Sequence, residues 1–307
     1  MSSEPFRPVV LVTGATGAQG GATAAALLGS RFRVRILTRR PDSPRALWLA
    51  EKGAEVAIGD LDDRVSLAKA LKDVGGVFSV QIPDIAANDA ERRHGIALVE
   101  ESLNAGVEHF VHTSVCETGR HTSFQRWGSE YWSEKYWTDK WDVEETVRQA
   151  GFTRWTVLKP AFMMDNFARP KARHMFPHLT AGVILTALDP QTRMQLIAAD
   201  DVGAYACAAF NDPVRFDRRE IELAAESLTM EQVAATLSRV LQKHVQARSV
   251  SPKEALSAGL NNGWVRSQEW TNEIGYRAEI AALAADWVPL TSFSEWVNRH
   301  AAEISIS

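Results

Sequence analysis

Two cysteines in 307 residues, Cys116 and Cys207, are too few for a disulfide framework and suit a reducing compartment. Long apolar runs are missing as well, since no stretch approaches the ~20 residues of a membrane span. Met1 to Pro8 is short and polar and lacks the basic and apolar regions of a signal peptide. There is no excess of positive charge: 34 basic against 38 acidic side chains give a net charge of −4. Nucleic-acid binding, which needs a basic patch, is therefore not expected. Repeats, low-complexity tracts and linkers rich in Pro, Gly or Ser are also lacking. With 45% apolar and 23% charged residues the chain is not disordered. A chain of this length can bury roughly three quarters of its unfolded surface. The expectation is a cytoplasmic globular protein with no membrane partner.

What is present is a rhythm. Val9–Val12, Val34–Leu37, Val56–Ile58, Val77–Val80, Phe110–Val111 and Trp155–Leu158 are near-continuous apolar runs, as in strands buried on both faces. Helix-like stretches alternate with them: Ala18–Leu28, Pro44–Lys52, Arg64–Lys72, Ala87–Ala105 and Ser133–Ala150. Gly29, Gly53, Gly106 and Gly151 follow several of these as C-terminal stops. The alternation predicts an α/β fold, a doubly wound parallel sheet, over residues 1–159. After Pro160 the pattern changes, and 160–307 reads as a smaller α+β domain for substrate or partner. In it, Met194–Ile197 and Ile221–Ala224 read as strands, and a strand near 220–224 could return to the main sheet. Asp200 and Asp201 open a helix, and Thr229 with Gln232 has capping-box spacing.

The decisive segment is Val9-Val-Leu-Val-Thr-Gly14-Ala-Thr16-Gly17-Ala-Gln19-Gly20. A buried strand runs straight into a helix, the placement that gives a glycine triplet meaning. Gly14 permits the tight turn, Gly17 lets backbone approach a pyrophosphate, and Gly20 lets helix pack on strand. The helix start then holds phosphate charge through free N–H groups and its dipole. Thr16 and Gln19 belong to the same cradle. The second strand ends Thr38-Arg39-Arg40-Pro41, with no acid to bond the ribose hydroxyls of NAD. Guanidinium groups there would pair with a 2′-phosphate, so NADP(H) is preferred over NAD(H).

The spelling Thr-Gly-Ala-Thr-Gly resembles the short-chain dehydrogenase/reductase superfamily in its extended and atypical branches. Further segments, Gly59-Asp60-Leu61-Asp62-Asp63, His109–Val115, Leu158–Phe167, Ala199–Gly203 and Glu220–Leu237, resemble the NmrA-like family across nearly the whole chain. The resemblance implies the Rossmann fold, an adenine contact at Asp60 and Leu61, a cofactor-facing Lys140, and Pro160 beside the cofactor. It also implies divided functions: some members reduce quinones or dyes, and others sense NADP(H) without turnover.

Reductases of the superfamily use a tyrosine four residues before a lysine, on one helical face, with a serine after the fifth strand. The lysine binds the nicotinamide ribose and lowers the tyrosine pKa. Tyr131…Lys135 and Tyr136…Lys140 both have this spacing, and the family pattern selects Lys140. The family usually lacks the tyrosine, so Tyr136 is a proton donor or an aromatic core residue. Ser114 is better placed than Thr113 for a catalytic hydroxyl, and its alternative is a strand-end cap. Trp137, with Phe162, Met163, Asn166 and Phe167, could line an aromatic substrate pocket beyond the strands, the alternative being core packing. No metal site is expected: His109 and His112 point to opposite faces of a strand, and Pro177 interrupts His174 and His178. Cys116 has no basic partner in view.

These residues favour an NADPH-dependent oxidoreductase acting on a small aromatic, quinone-like or carbonyl acceptor. The alternative is a non-catalytic NADP(H)-sensing regulator that works through a protein partner. An epimerase acting on nucleotide sugars would want a more polar 160–168 segment.

Overall fold

The computed structural model describes residues 8–83 and 89–306. Helices and strands alternate from the start. β1 (Val9–Val12) leads to α1 (Ala18–Leu28), β2 (Arg33–Thr38) to α2 (Pro44–Glu51), and β3 (Glu55–Ile58) to α3 (Arg64–Ala70). β4 (Val74–Ser79) is followed by α4 (Ala90–Asn104), β5 (His109–Thr113) by α5 (Glu134–Gln149), and then β6 (Arg154–Pro160). Residues 87 and 88 of the expected fourth helix lie outside the described residues. Onward run β7 (Phe162–Met163), α6 (Ala172–Met175), β8 (Val183–Thr186), β9 (Met194–Ile197), α7 (Ala199–Asn211) and β10 (Arg219–Leu223). The chain ends with β11 (Glu226–Leu228), α8 (Met230–Leu241), β12 (Gln246–Ser249), α9 (Pro252–Ser257), α10 (Asn262–Glu273) and α11 (Phe293–Arg299).

A seven-stranded sheet is ordered β10-β6-β5-β4-β1-β2-β3. The pairs from β3 through β2, β1, β4 and β5 to β6 are parallel. The order reverses at β1, where the chain crosses from one half of the sheet to the other. In open α/β sheets ligands bind beyond the strand ends at such a switch point. The fold is the doubly wound Rossmann type.

The chain forms two compact units. One contains 1–118, 135–159 and 199–221, and the other 119–134, 160–198 and 222–307. In the first, Leu11, Leu37, Leu67, Val77, Leu98, Phe110 and Val157 build a core under α3 to α5. The second has its own core, in which Phe167, Leu196, Val233, Leu237, Phe293 and Trp296 are enclosed.

Local chemistry explains most boundaries. Gly53, Gly106 and Gly151 adopt positive φ after α2, α4 and α5, where glycine alone is unstrained. Gly29 does not: its φ of −78° is open to any residue, so its stop has another origin. The fourth strand begins three residues before the expected Val77 and includes Gly75 and Gly76. A Cβ on Gly76 would lie 2.8 Å from the Phe210 ring, so the glycine admits α7 to the sheet. Thr229 and Gln232 form the expected capping box of α8. β8 and β12 pair in parallel within the second unit, an element that the irregular 160–190 sequence did not disclose. No described helix is long and apolar enough to cross a membrane.

Candidate functional site

The glycine-rich turn lies at the carboxyl end of β1. Thr13 anchors it: its hydroxyl accepts from Val80 N at 2.9 Å and lies 3.2 Å from the Phe78 carbonyl oxygen. Gly14 has φ +59°, and a Cβ there would meet Val80 Cγ1 at 2.6 Å. A Cβ on Gly20 would fall 2.4 Å from the carbonyl oxygens of Thr13 and Gly14. The helix can therefore sit on the turn only because residue 20 has no side chain. Gly17 is different: its angles are extended, and a methyl there would make one tight contact, 3.3 Å from the Gly14 carbonyl oxygen, that a shift of a few tenths of an ångström relieves. Gly14, Thr16 and Gly17 are exposed, while Gly20 is buried beneath them.

Six helices, α2, α3, α8, α9, α10 and α11, are capped by Ser, Asp, Thr or Asn side chains. α1 has Gly17 as N-cap, no capping side chain and no acidic residue in its first turn. Its leading N–H groups therefore meet an anion without competition from the chain's own carboxylates. Gln19, on that first turn, accepts a hydrogen bond from the Thr113 hydroxyl. Thr113, not Ser114, is thus the β5 hydroxyl that touches the turn.

At the end of β2, Arg39 and Arg40 are exposed. Arg39 Nη1 lies 3.6 Å from Asp60 Oδ2, and the Asp60 N–H donates to Ser66 Oγ at 3.0 Å. Leu61 is half-buried beside it. One residue escaped sequence reading: Arg45, in the first turn of α2, whose guanidinium would stand 3.0 Å from a Cβ on Gly21. A basic residue in the turn after Arg39-Arg40 was visible, but nothing in the spacing says that it folds back against α1.

On α5, Lys140 and Tyr136 share a face as i and i+4 spacing requires. Lys140 Nζ lies 4.9 Å from the Tyr136 ring centroid and makes a buried ion pair with Glu91 of α4. The environment moves the Tyr136 phenol the opposite way from the expectation: burial first, and the Glu91 charge second, raise its pKa above the ordinary value. Trp137 is buried with its ring edge-on to Tyr136. His112, at the end of β5, has Nδ1 3.1 Å from Ser79 Oγ, which also receives Gln81 Nε2 at 3.0 Å. Burial, then the charges of Lys140 and Lys159, lower the His112 pKa to about 3, so the ring is neutral. His109, on the other face, is lowered by burial to about 4 and packs against Phe210.

Ser114 belongs to a separate buried cluster. Its hydroxyl is 3.4 Å from Thr118 Oγ1. Lys159 Nζ reaches the Thr118 carbonyl at 2.9 Å, Glu144 at 3.0 Å and Glu220 at 2.6 Å, and Arg148 bonds both carboxylates as well. Burial raises the Glu144 pKa despite these cations. Glu220 is less enclosed, and although burial opposes it, Arg148 and Lys159 bring its pKa down to about 2. The cluster ties α5 to β6 and β10.

Pro160 closes β6 and is buried. In the second unit, Phe167 is fully enclosed and stacks on Phe176 at 4.4 Å, and Phe162 stacks on Trp264 at 5.1 Å. Met163 is buried in β7, and Asn166 is half-buried.

Sheet order, switch point and glycine turn define a doubly wound α/β protein of the dinucleotide-binding type. More particularly, the NmrA-like family matches residues 7–297, and the chain belongs to it. It is 27% identical to the (4-alkanoyl-5-oxo-2,5-dihydrofuran-3-yl)methyl phosphate reductase of Streptomyces griseus over 305 residues, 95% of this chain and 98% of that one. Among solved structures, NmrA, a negative transcriptional regulator in complex with NADP, matches with a TM-score of 0.75 at 18% identity. That match covers 98% of this chain and 97% of NmrA. The triphenylmethane reductase of Citrobacter sp. complexed with NADP(H) gives a TM-score of 0.73 at 20% identity, covering 95% and 99%. At these identities the likeness to solved structures is one of fold.

Proposed function

We propose that this chain is an NADPH-dependent oxidoreductase that reduces a small aromatic or quinone-like acceptor. The observation that carries the reading is the turn itself: exposed Gly14 and Gly17 at an uncapped helix start, over a Gly20 that admits no side chain. A dinucleotide pyrophosphate fits that cradle by charge and by clearance. Arg39, Arg40 and Arg45 would serve the 2′-phosphate, and Asp60 and Leu61 the adenine. The family's division between reductases and a regulator leaves the nicotinamide as the shared group; when bound, it supplies a hydride.

The chain's own contribution lies in holding that group and choosing the acceptor. Lys140 is the ribose-holding cation. Tyr136 keeps its proton, since both burial and Glu91 oppose its ionisation, so it is a poor proton donor. Ser114 is engaged with Thr118 and lies in the Glu144 cluster. An acceptor that needs little acid assistance, such as a quinone or an electron-poor dye, suits this arrangement better than a simple carbonyl. The same shortage of a ready acid favours the second reading, a regulator that binds NADP⁺ and NADPH with different affinities and changes a protein contact.

One experiment separates them. Both redox forms are titrated, and NADPH consumption is followed across quinones, dyes and aldehydes. Turnover with quinones or dyes that is lost in Lys140→Ala supports the oxidoreductase. Unequal affinities without turnover support the regulator, and equal affinities without turnover defeat both.

A further inference from the structure

Lys140 has a partner that the tyrosine–lysine pattern does not contain. Glu91 stands in the first turn of α4, and its Oε1 is bonded by Lys140 Nζ, with side-chain exposures of 5% and 8%. Its other oxygen, Oε2, is buried, and no donor among the described residues reaches it. A buried carboxylate oxygen without a donor is an unfavourable arrangement unless something else satisfies it. The pair is held firmly. Lys135–Asp89 at 2.9 Å and Arg92–Asp142 at 2.6 Å flank it, both exposed, so three ion pairs join the start of α4 to α5. One turn further on, a Cβ at Gly95 would lie 2.5 Å from Val143, so the two helices already touch there.

A stapling role accounts for Glu91 Oε1 but not for Oε2. The flanking pairs staple these helices from the surface, where charges cost little to hold. A third charge placed inside, with half of its accepting capacity unused, suits a ligand that brings hydroxyl donors. We infer that Glu91 and Lys140 together form a donor–acceptor couple for a vicinal diol, the nicotinamide ribose. Lys140 donates to one hydroxyl, and Glu91 Oε2 accepts from the neighbouring one. The assignment deepens the nicotinamide reading above and rests on it.

The test compares two ligands by titration on the intact protein. NADPH carries the nicotinamide ribose; adenosine 2′,5′-bisphosphate carries the adenosine end and lacks it. In Glu91→Gln the Kd for NADPH is expected to rise about tenfold, the scale of one lost hydrogen bond to a charged group. The Kd for adenosine 2′,5′-bisphosphate is expected to stay at the wild-type value. An unchanged Kd for NADPH would overturn the assignment, and so would an equal weakening of both ligands; full recovery of NADPH affinity in Glu91→Asp, which keeps the charge beside Lys140, would make Glu91 a positioning residue and overturn it as well. If Glu91→Gln does not fold, Glu91→Asp takes its place: it keeps the charge for Lys140, withdraws the carboxylate by one methylene, and carries the same pair of expectations. Wild-type protein that binds adenosine 2′,5′-bisphosphate but gains nothing from the nicotinamide half removes Glu91 from the site. Wild-type protein that binds neither removes the dinucleotide reading itself.

Discussion

At Arg39 a single guanidinium bears on cofactor choice. It is exposed and stands 3.6 Å from Asp60, close enough to feel that charge and loosely enough to be recruited by a phosphate. Arg39→Asp places two carboxylates side by side where a 2′-phosphate would come. The Kd for NADPH should rise at least about tenfold while that for NADH changes little. Equal effects on both would remove Arg39 from the phosphate site. The arginine and the glycines were legible because each sits within a short local pattern, and Lys140 through the family resemblance. Glu91 was not, because it meets Lys140 across 49 positions of sequence. The same holds for Thr113, 94 positions from Gln19. Alternation along β5 favoured Ser114, but it could not say which face looks toward α1.

Between elements, the close approach of α1 and α7 holds the glycine turn in place. α1 is rich in Gly and Ala because it is pressed between sheet and helix, and a Cβ on Gly203 of α7 would lie 2.7 Å from the Ala22 backbone carbon. Gly203→Ala therefore forces backbone against backbone. It should destabilise the protein by about 1–3 kcal/mol in chemical denaturation, as overpacking does. A change within experimental error would mean that the helices separate freely and that the turn is not clamped from behind. Strands and helices of the first unit were legible from apolar runs and glycine stops, because sheets buried on both faces need continuous apolar segments. The β8–β12 pair was not, since its partners are 63 positions apart (Val183 to Gln246) and one of them, Gln-Ala-Arg-Ser, has no strand-like composition.

In mildly acidic solution the acid sensitivity of the whole molecule rests on two buried imidazoles. His109 and His112 ordinarily titrate near 6.5 and in the fold near 4 and 3. Their neutral forms are the folded forms, so the unfolded chain binds more protons below pH 6.5. Stability is complete above that value and falls as pH drops from it toward the two folded pKa values, below which the loss levels off. At pH 5 each ring should cost about 2 kcal/mol of stability. Glu220, held near 2 in the fold against an ordinary 4.5, adds its own loss only below about pH 4.5, outside the comparison of pH 7.5 with pH 5. Urea unfolding at pH 7.5 and pH 5 should show the decline, and His112→Gln should recover about half of it. A flat profile would mean that the imidazoles are more hydrated than the fold allows.

The central claim, a dinucleotide phosphate on the turn between β1 and α1, is tested most directly at Gly17. Unlike Gly14 and Gly20, it has extended backbone angles, and an added methyl meets only the Gly14 carbonyl oxygen, at 3.3 Å. Gly17→Ala should leave the thermal midpoint within a few degrees of wild type and put a methyl where the phosphate approaches. Calorimetric titration with NADPH is expected to give a Kd at least about tenfold higher than wild type. A folded Gly17→Ala protein that binds NADPH as tightly as wild type would contradict the account.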